Sequence, residues 1–169
     1  MKSLVAKFIF DVCRRNNLPG LKISPYWLTL SGVSGYGKTF LARMACTVIQ
    51  RLSIPSADFE KRDDHIPEKI RNCDYCRKMR ERDNDYYYRI RDQKILFIDD
   101  VYSDPDKSGF VTNETYDLLD YRIRKWTIIT TNKSLNQITE IDNRIASRLE
   151  RNGNVFFQIS GKTYEETIT

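Results

Sequence analysis

The sequence predicts an α/β fold of three layers, a mainly parallel sheet covered by helices on both faces. Three observations predict it. Short apolar runs suited to buried strands alternate with longer stretches of helical periodicity. A glycine-rich turn joins the first such run to the first long amphipathic stretch. The second and third runs stop abruptly at polar side chains, Asp99-Asp100 and Thr131-Asn132.

The elements follow in order. Residues 3–16 read as a short amphipathic helix ended by Asn16, Asn17, Pro19 and Gly20. This stretch starts like a signal peptide, but Lys7 and Asp11 interrupt its apolar run and no small-residue cleavage site follows. Residues 26–30 form a buried strand that stops at Ser31-Gly32. Across residues 38–52, Phe40, Leu41, Met44, Ala45, Val48, Ile49 and Leu52 form one wide apolar stripe of a helix. Residues 53–65 are ambiguous, with a short strand near Ile54. Pro67 suits the first turn of a helix running to about Arg82. A second strand spans residues 94–98, and Thr112 caps a helix over residues 113–124. Residues 126–130 are a third strand, 142–150 a short helix, and 155–159 a last strand.

With 169 residues, 40% hydrophobic and 30% charged, the chain fits a single globular domain. Nothing marks a domain boundary. Residues 1–24 are an N-terminal helix and lead-in, and residues 25–164 are the core. No apolar run is long enough to cross a bilayer, so neither a membrane partner nor a secreted location is expected, and the expected location is the cytoplasm. The net charge of +5 and the pI near 9 are compatible with a polyanion partner but do not establish one.

Gly32-Val33-Ser34-Gly35-Tyr36-Gly37-Lys38-Thr39 matches G-x-x-x-x-G-K-[ST] in full, with Phe40 next on the following helix. Glycines let the backbone wrap close enough for its N–H groups to face phosphate oxygens, and the helix adds the positive end of its dipole. Lys38 reaches the β- and γ-phosphates of ATP, and the Thr39 hydroxyl holds Mg²⁺. Hydrolysis also needs carboxylates for the metal and for the attacking water. Asp99 and Asp100 supply both at one strand end, Asp99 towards Mg²⁺ and Asp100 as base or orienter of the water. An aspartate reaches less far than a glutamate, so slow hydrolysis is expected. Asn132 is placed to bond the γ-phosphate or the water, although asparagine also serves simple turn chemistry. Arg144 and Arg148 lie four residues apart and so share a helix face, on which Ile141, Ile145 and Leu149 anchor the helix. Those arginines suit phosphate binding, or simply a solvated charged face.

GVSGYGKT, ILFIDD, TIITTN and DNRIASRL, in that order, resemble the DnaC/IstB-like branch of the AAA+ ATPases over residues 25–164. That branch includes helicase loaders related to DnaC and DnaI and transposition helpers related to IstB. The resemblance implies a P-loop NTPase of the ASCE type with a five-stranded sheet ordered 5-1-4-3-2. It implies Lys38 and Thr39 as the Walker A pair, and Asp99 and Asp100 as Walker B. It also implies Asn132 as sensor I, Arg148 as an arginine finger acting on a neighbour's nucleotide, and Arg144 as a second arginine. It further implies a homo-oligomeric ring or spiral, a replicative helicase or a transposase as partner, and a bacterial, phage or mobile-element source. Two departures stand out. Glu165 follows Tyr164 where those loaders carry a sensor II arginine, and no separate helicase-binding domain is seen.

Between the Walker motifs, residues 61–91 are dense in lysine and arginine, with Tyr86, Tyr87 and Tyr88 among them. Cations and stacking rings suit single-stranded DNA, whereas the interleaved acids suit a salt-bridged surface helix. Cys73 and Cys76, with His65 upstream, are too few for a structural zinc site, and two buried free thiols are expected. The expected function is an Mg²⁺-dependent ATPase acting on single-stranded DNA or a DNA-bound partner, with helicase loading foremost. A transposition helper, a non-hydrolysing nucleotide switch and a small-molecule kinase remain as alternatives.

Overall fold

The computed structural model describes residues 2–17, 22–52, 67–103, 106–151 and 153–160. Its strands are β1 (Trp27–Ser31), β2 (Glu68–Arg71), β3 (Ile95–Val101), β4 (Trp126–Thr131) and β5 (Val155–Gln158). They lie in the order β2-β3-β4-β1-β5, and every neighbouring pair is parallel. This is the expected order read from the other edge. The central strands β1, β3 and β4 are buried almost residue by residue, as continuous apolar runs must be when helices cover both faces.

The helices are α1 (Lys2–Asn17), α2 (Lys38–Leu52), α3 (Asn72–Arg80), α4 (Asn84–Asp92), α5 (Phe110–Tyr121), α6 (Leu135–Ile141) and α7 (Asn143–Glu150). Alternation along the strands splits the core in two. Leu28, Leu30, Phe97 and Ile128 face α1 and α2, while Trp27, Ile70, Ile98 and Ile129 face the layer of α3 to α7. Phe8 of α1 packs edge-on against Tyr26 and Trp126, with ring centroids 5.3 and 5.5 Å away. No described helix is long and apolar enough to cross a membrane.

Several expectations are corrected. Pro67 does not open a helix. Glu68–Arg71 is an edge strand with only Ile70 buried, the expected helix shortens to α3, and α4 is a further helix that the sequence reading did not assign. Asp83 caps α4 by accepting from the Tyr86 N–H at 3.0 Å. Helix α5 starts after Gly109 rather than at Thr112, whose N–H donates to Asp106. The apolar stripe of α2 is narrower than its sequence: Ala42, Ala45, Cys46 and Ile49 are buried, whereas Phe40, Met44 and Leu52 are exposed. Ile141 does not anchor α7. It ends the separate helix α6 and is exposed, leaving Ile145 and Leu149 in the core. The last strand ends one residue early, at Gln158. The strand expected near Ile54 falls outside the described residues.

One buried charge ties several elements together. Arg122, just past α5, is fully buried. It donates through Nε to the Thr127 hydroxyl at 3.0 Å and through Nη1 to the Arg91 and Gln93 carbonyls at 3.2 and 2.7 Å. Its Nη2 donates to the Trp126 carbonyl at 2.7 Å. Its own carbonyl accepts from the Trp27 indole N–H at 3.1 Å. A cation this deep is tolerated only because its donors meet oriented oxygens.

Candidate nucleotide site

The glycine loop leaves β1 and enters α2. Gly32 has φ +145°, and a side chain there would bring a Cβ within 2.8 Å of the Ile159 carbonyl beyond β5. Only glycine suits both the angle and the close approach. Gly37, at φ +75°, turns the chain into α2, whose 15 residues carry no acid in the first turn to offset the positive end of the dipole. Lys38 is buried, and its ammonium donates to the Val33 carbonyl at 2.8 Å. Burial lowers its pKa, and the nearby Asp100 and Asp99 carboxylates partly offset that. Val33, Ser34, Gly35 and Phe40 lie exposed around the loop, with Tyr36 half-buried.

The strand ends supply the acids. The Asp99 carboxylate is buried and accepts from the Thr39 hydroxyl at 2.8 Å and the Thr130 hydroxyl at 2.5 Å. The Thr130 oxygen in turn accepts from the Asp100 N–H at 3.0 Å. One hydroxyl on β4 therefore bridges both acidic residues of β3. Asp100 has φ +57°, in the left-handed region, where β3 slips register against β4 between Ile98 and Val101. A non-glycine residue held there is strained, and the bulge turns its side chain off the pleat. The Asp100 carboxylate lies 4.0 Å from the Arg71 guanidinium at the end of β2.

Two clefts flank this strand end. One, of about 510 Å³, is lined by Arg43, Arg71, Tyr86 and Asp99, and the other, of about 320 Å³, by Asn72, Cys76, Arg77, Arg80 and Asp100. Neither includes Lys38. Asn132 follows β4 and is exposed, so it sits at the strand end where sequence placed it. The residues present fit an Mg²⁺–nucleotide. A glycine cradle at a helix start, a buried lysine and a hydroxyl–carboxylate pair are the donor set such a ligand needs. Magnesium keeps several waters and takes few protein ligands.

The arginines lie elsewhere. Arg144 pairs with Asp142 at 2.6 Å, and that carboxylate also caps α7 by accepting from the Arg144 N–H at 2.8 Å. The Arg144 bond is the main cause that lowers the Asp142 pKa. Arg148 reaches α5, where it bonds Asp120 and the Tyr116 hydroxyl. The Tyr116 ring lies within 4.2 Å of the Arg144 guanidinium and 4.5 Å of the Arg148 guanidinium. None of the described bonds joins either arginine to Lys38, Thr39, Asp99 or Asp100.

Part of the basic stretch is paired with its own acids. Arg77 pairs with Asp74, Lys78 with Glu81 and Asp83, and Arg89 with Glu68. Arg91 instead lies over the Tyr87 ring at 3.7 Å and the Tyr121 ring at 5.3 Å, and Tyr88 is exposed. Lys61, Arg62 and His65 lie outside the described residues, as do Tyr164 and Glu165. Cys76 is buried, and burial pushes its thiol up to about 12, as befits a packed thiol, but Cys73 is only half-buried.

A model of the ATPase family associated with various cellular activities (AAA) matches residues 28–156. The chain belongs to the AAA family. No curated protein matches it by sequence. Among solved structures it is similar to a DnaC helicase loader, at 22% identity and TM-score 0.58, over 89% of this chain and 87% of that one. It is similar to DnaI at 20% identity and TM-score 0.62, over 94% and 82%. It also resembles the replication initiator DnaA bound to AMPPCP and single-stranded DNA, at 16% identity and TM-score 0.65 over 90% of this chain. The chain spans 45% of that DnaA. These likenesses show an AAA fold shared with replication proteins, consistent with the DnaC/IstB-like resemblance of the motifs.

Sequence reasoning missed Thr130, Arg71, Tyr116 and Asp120. Thr130 stood within the Thr-Thr-Asn motif and was legible as a strand-end hydroxyl. The other three carry no local signal, since each gains meaning only from a partner 28 to 32 residues away.

Proposed function

We propose that this AAA protein hydrolyses ATP with Mg²⁺ as a subunit of a homo-oligomer, and that it acts on single-stranded DNA or a DNA-bound partner in the manner of helicase loaders. The observation that carries the proposal is the bonded set Thr39–Asp99–Thr130–Asp100 beside the buried Lys38. ATP supplies the phosphoanhydride and Mg²⁺ the charge that neutralises it. The loop N–H groups and Lys38 hold phosphate oxygens. Thr39 and Asp99 orient the metal's protein side, locked by Thr130. Asp100 orients the attacking water and takes its proton, and Asn132 holds it in line. Arg148 is supplied to a neighbouring subunit's nucleotide. The exposed Tyr88 and the stacked Arg91 at the end of α4 offer rings and a cation to a nucleic acid strand. The structural likeness to DnaC, DnaI and DnaA supports replication as the setting.

The test is ATP turnover across protein concentrations, with and without single-stranded DNA, with Lys38→Ala as the blank. Specific activity that rises with concentration and with DNA is expected. Turnover that is flat in both would leave a monomeric nucleotide switch or a kinase awaiting its acceptor.

A further inference from the structure

Arg148 is more heavily engaged within its own chain than a residue meant for a neighbour should be. A guanidinium has five N–H donors in a fixed fork. Nε donates to Asp120 at 2.8 Å, and Nη2 donates to Asp120 and to the Tyr116 hydroxyl. Nη1 donates to the Arg144 carbonyl at 3.3 Å. Four of the five donors are thus spoken for among the described residues, and the Tyr116 ring covers one face of the group. The side chain is only 24% exposed, although its helix end is at the surface. The edge formed by Nε and Nη2, one of those able to grip a carboxylate or phosphate, is occupied by one oxygen, Asp120 Oδ1, which accepts from both nitrogens.

We infer that Asp120 and Tyr116 of α5 form a latch on Arg148 that restrains ATP hydrolysis until subunits assemble. The inference rests on the proposed role of Arg148 in a neighbour's site. Phosphate and the Asp120 carboxylate are the same kind of ligand for the same edge, so engagement in trans exchanges one for the other. Asp120 is half exposed, so losing the ion pair on release costs little compared with breaking a buried one. The latch therefore lets the arginine go when a stronger anion arrives, and a solitary subunit keeps its finger folded against itself.

The experiment measures ATP turnover against protein concentration for the wild type, Asp120→Asn, Tyr116→Phe and Arg148→Ala, with circular dichroism to verify folding. Asp120→Asn keeps size and one acceptor but removes the charge. It should reach the wild-type plateau at a protein concentration roughly three- to tenfold lower, with Tyr116→Phe shifted the same way but less. An unchanged midpoint, or a lowered plateau, for Asp120→Asn overturns the latch while Arg148→Ala remains inactive. If Arg148→Ala turns over like the wild type at every concentration, the trans role itself falls, and the latch with it.

Discussion

The carboxyl ends of β1, β3 and β4 and the α5–α7 pair are both rich in charge, yet they use it in opposite ways. At the strand ends, Asp99 of β3 and Thr130 of β4 are buried and bonded to each other, Thr39 of α2 bonds the same carboxylate, and the buried Lys38 lies beside them. On α5 and α7, Arg144 and Asp120 are exposed and Arg148 and Tyr116 half-buried, and among the described residues their side chains bond only within that helix pair and its cap. The first arrangement is fixed by the sheet and ready for a ligand. The second is held by contacts that water and other anions can replace. Under the proposed function, a site divided in this way would keep its precision in the rigid part and its control in the replaceable part.

The sharpest way to break this contrast is to mix two inactive variants. Lys38→Ala and Arg148→Ala should each lose about a hundredfold or more in turnover alone. If the two regions serve different subunits' nucleotides, an equimolar mixture regains activity readily measured above either variant. No recovery in the mixture places both residues in one chain's site and ends the division.

A smaller effect is expected at Thr130. Valine keeps its shape and removes both bonds that hold Asp99 and Asp100, so Thr130→Val should lower turnover about tenfold and raise the Mg²⁺ needed for half-maximal rate. Thr130→Ser, which restores the hydroxyl, should stay near the wild type. A valine variant with normal Mg²⁺ dependence would mean that the strand ends need no such bridge.

The smallest effect belongs to the replaceable region. Asp142→Ala removes the cap of α7 and should cost about 1 kcal/mol in urea unfolding. Arg144 lowers the Asp142 pKa, so the carboxylate's contribution is full above the ordinary aspartate range near pH 4 and fades as pH falls through the lowered value. The stability gap between wild type and Asp142→Ala should therefore close in acid. A gap that persists unchanged at low pH would show that the cap acts without its charge.

These two regions were not equally legible in the sequence. The glycine loop and the Asp99-Asp100 strand end are local patterns set by what a phosphate and a metal require, and the structure brings Thr39 and Asp99 together as the motifs implied. The central strands were legible for the same reason, since burial on both faces writes continuous apolar runs. The edge was not. Glu68–Arg71 has one buried residue, so its pattern carries no strand period, and Pro67 pointed to a helix start instead. Helix α6 was missed although Ser134 and Gln137 make a capping box, because its seven residues bury only Ile138. The strain at Asp100 and the Arg148–Asp120 contact depend on register and on the packing of distant helices, which no local pattern encodes.

Arg122 has a consequence for how this molecule opens. Its side chain ends on carbonyls from the end of α4, the residue after it and the start of β4, and its own carbonyl holds Trp27 of β1. Peeling any one of these away strands a full positive charge in an apolar interior with too few oxygens to face. Opening α4, β4 or β1 alone there is thus costly, and the amides of these three elements near Arg122 should exchange with solvent together.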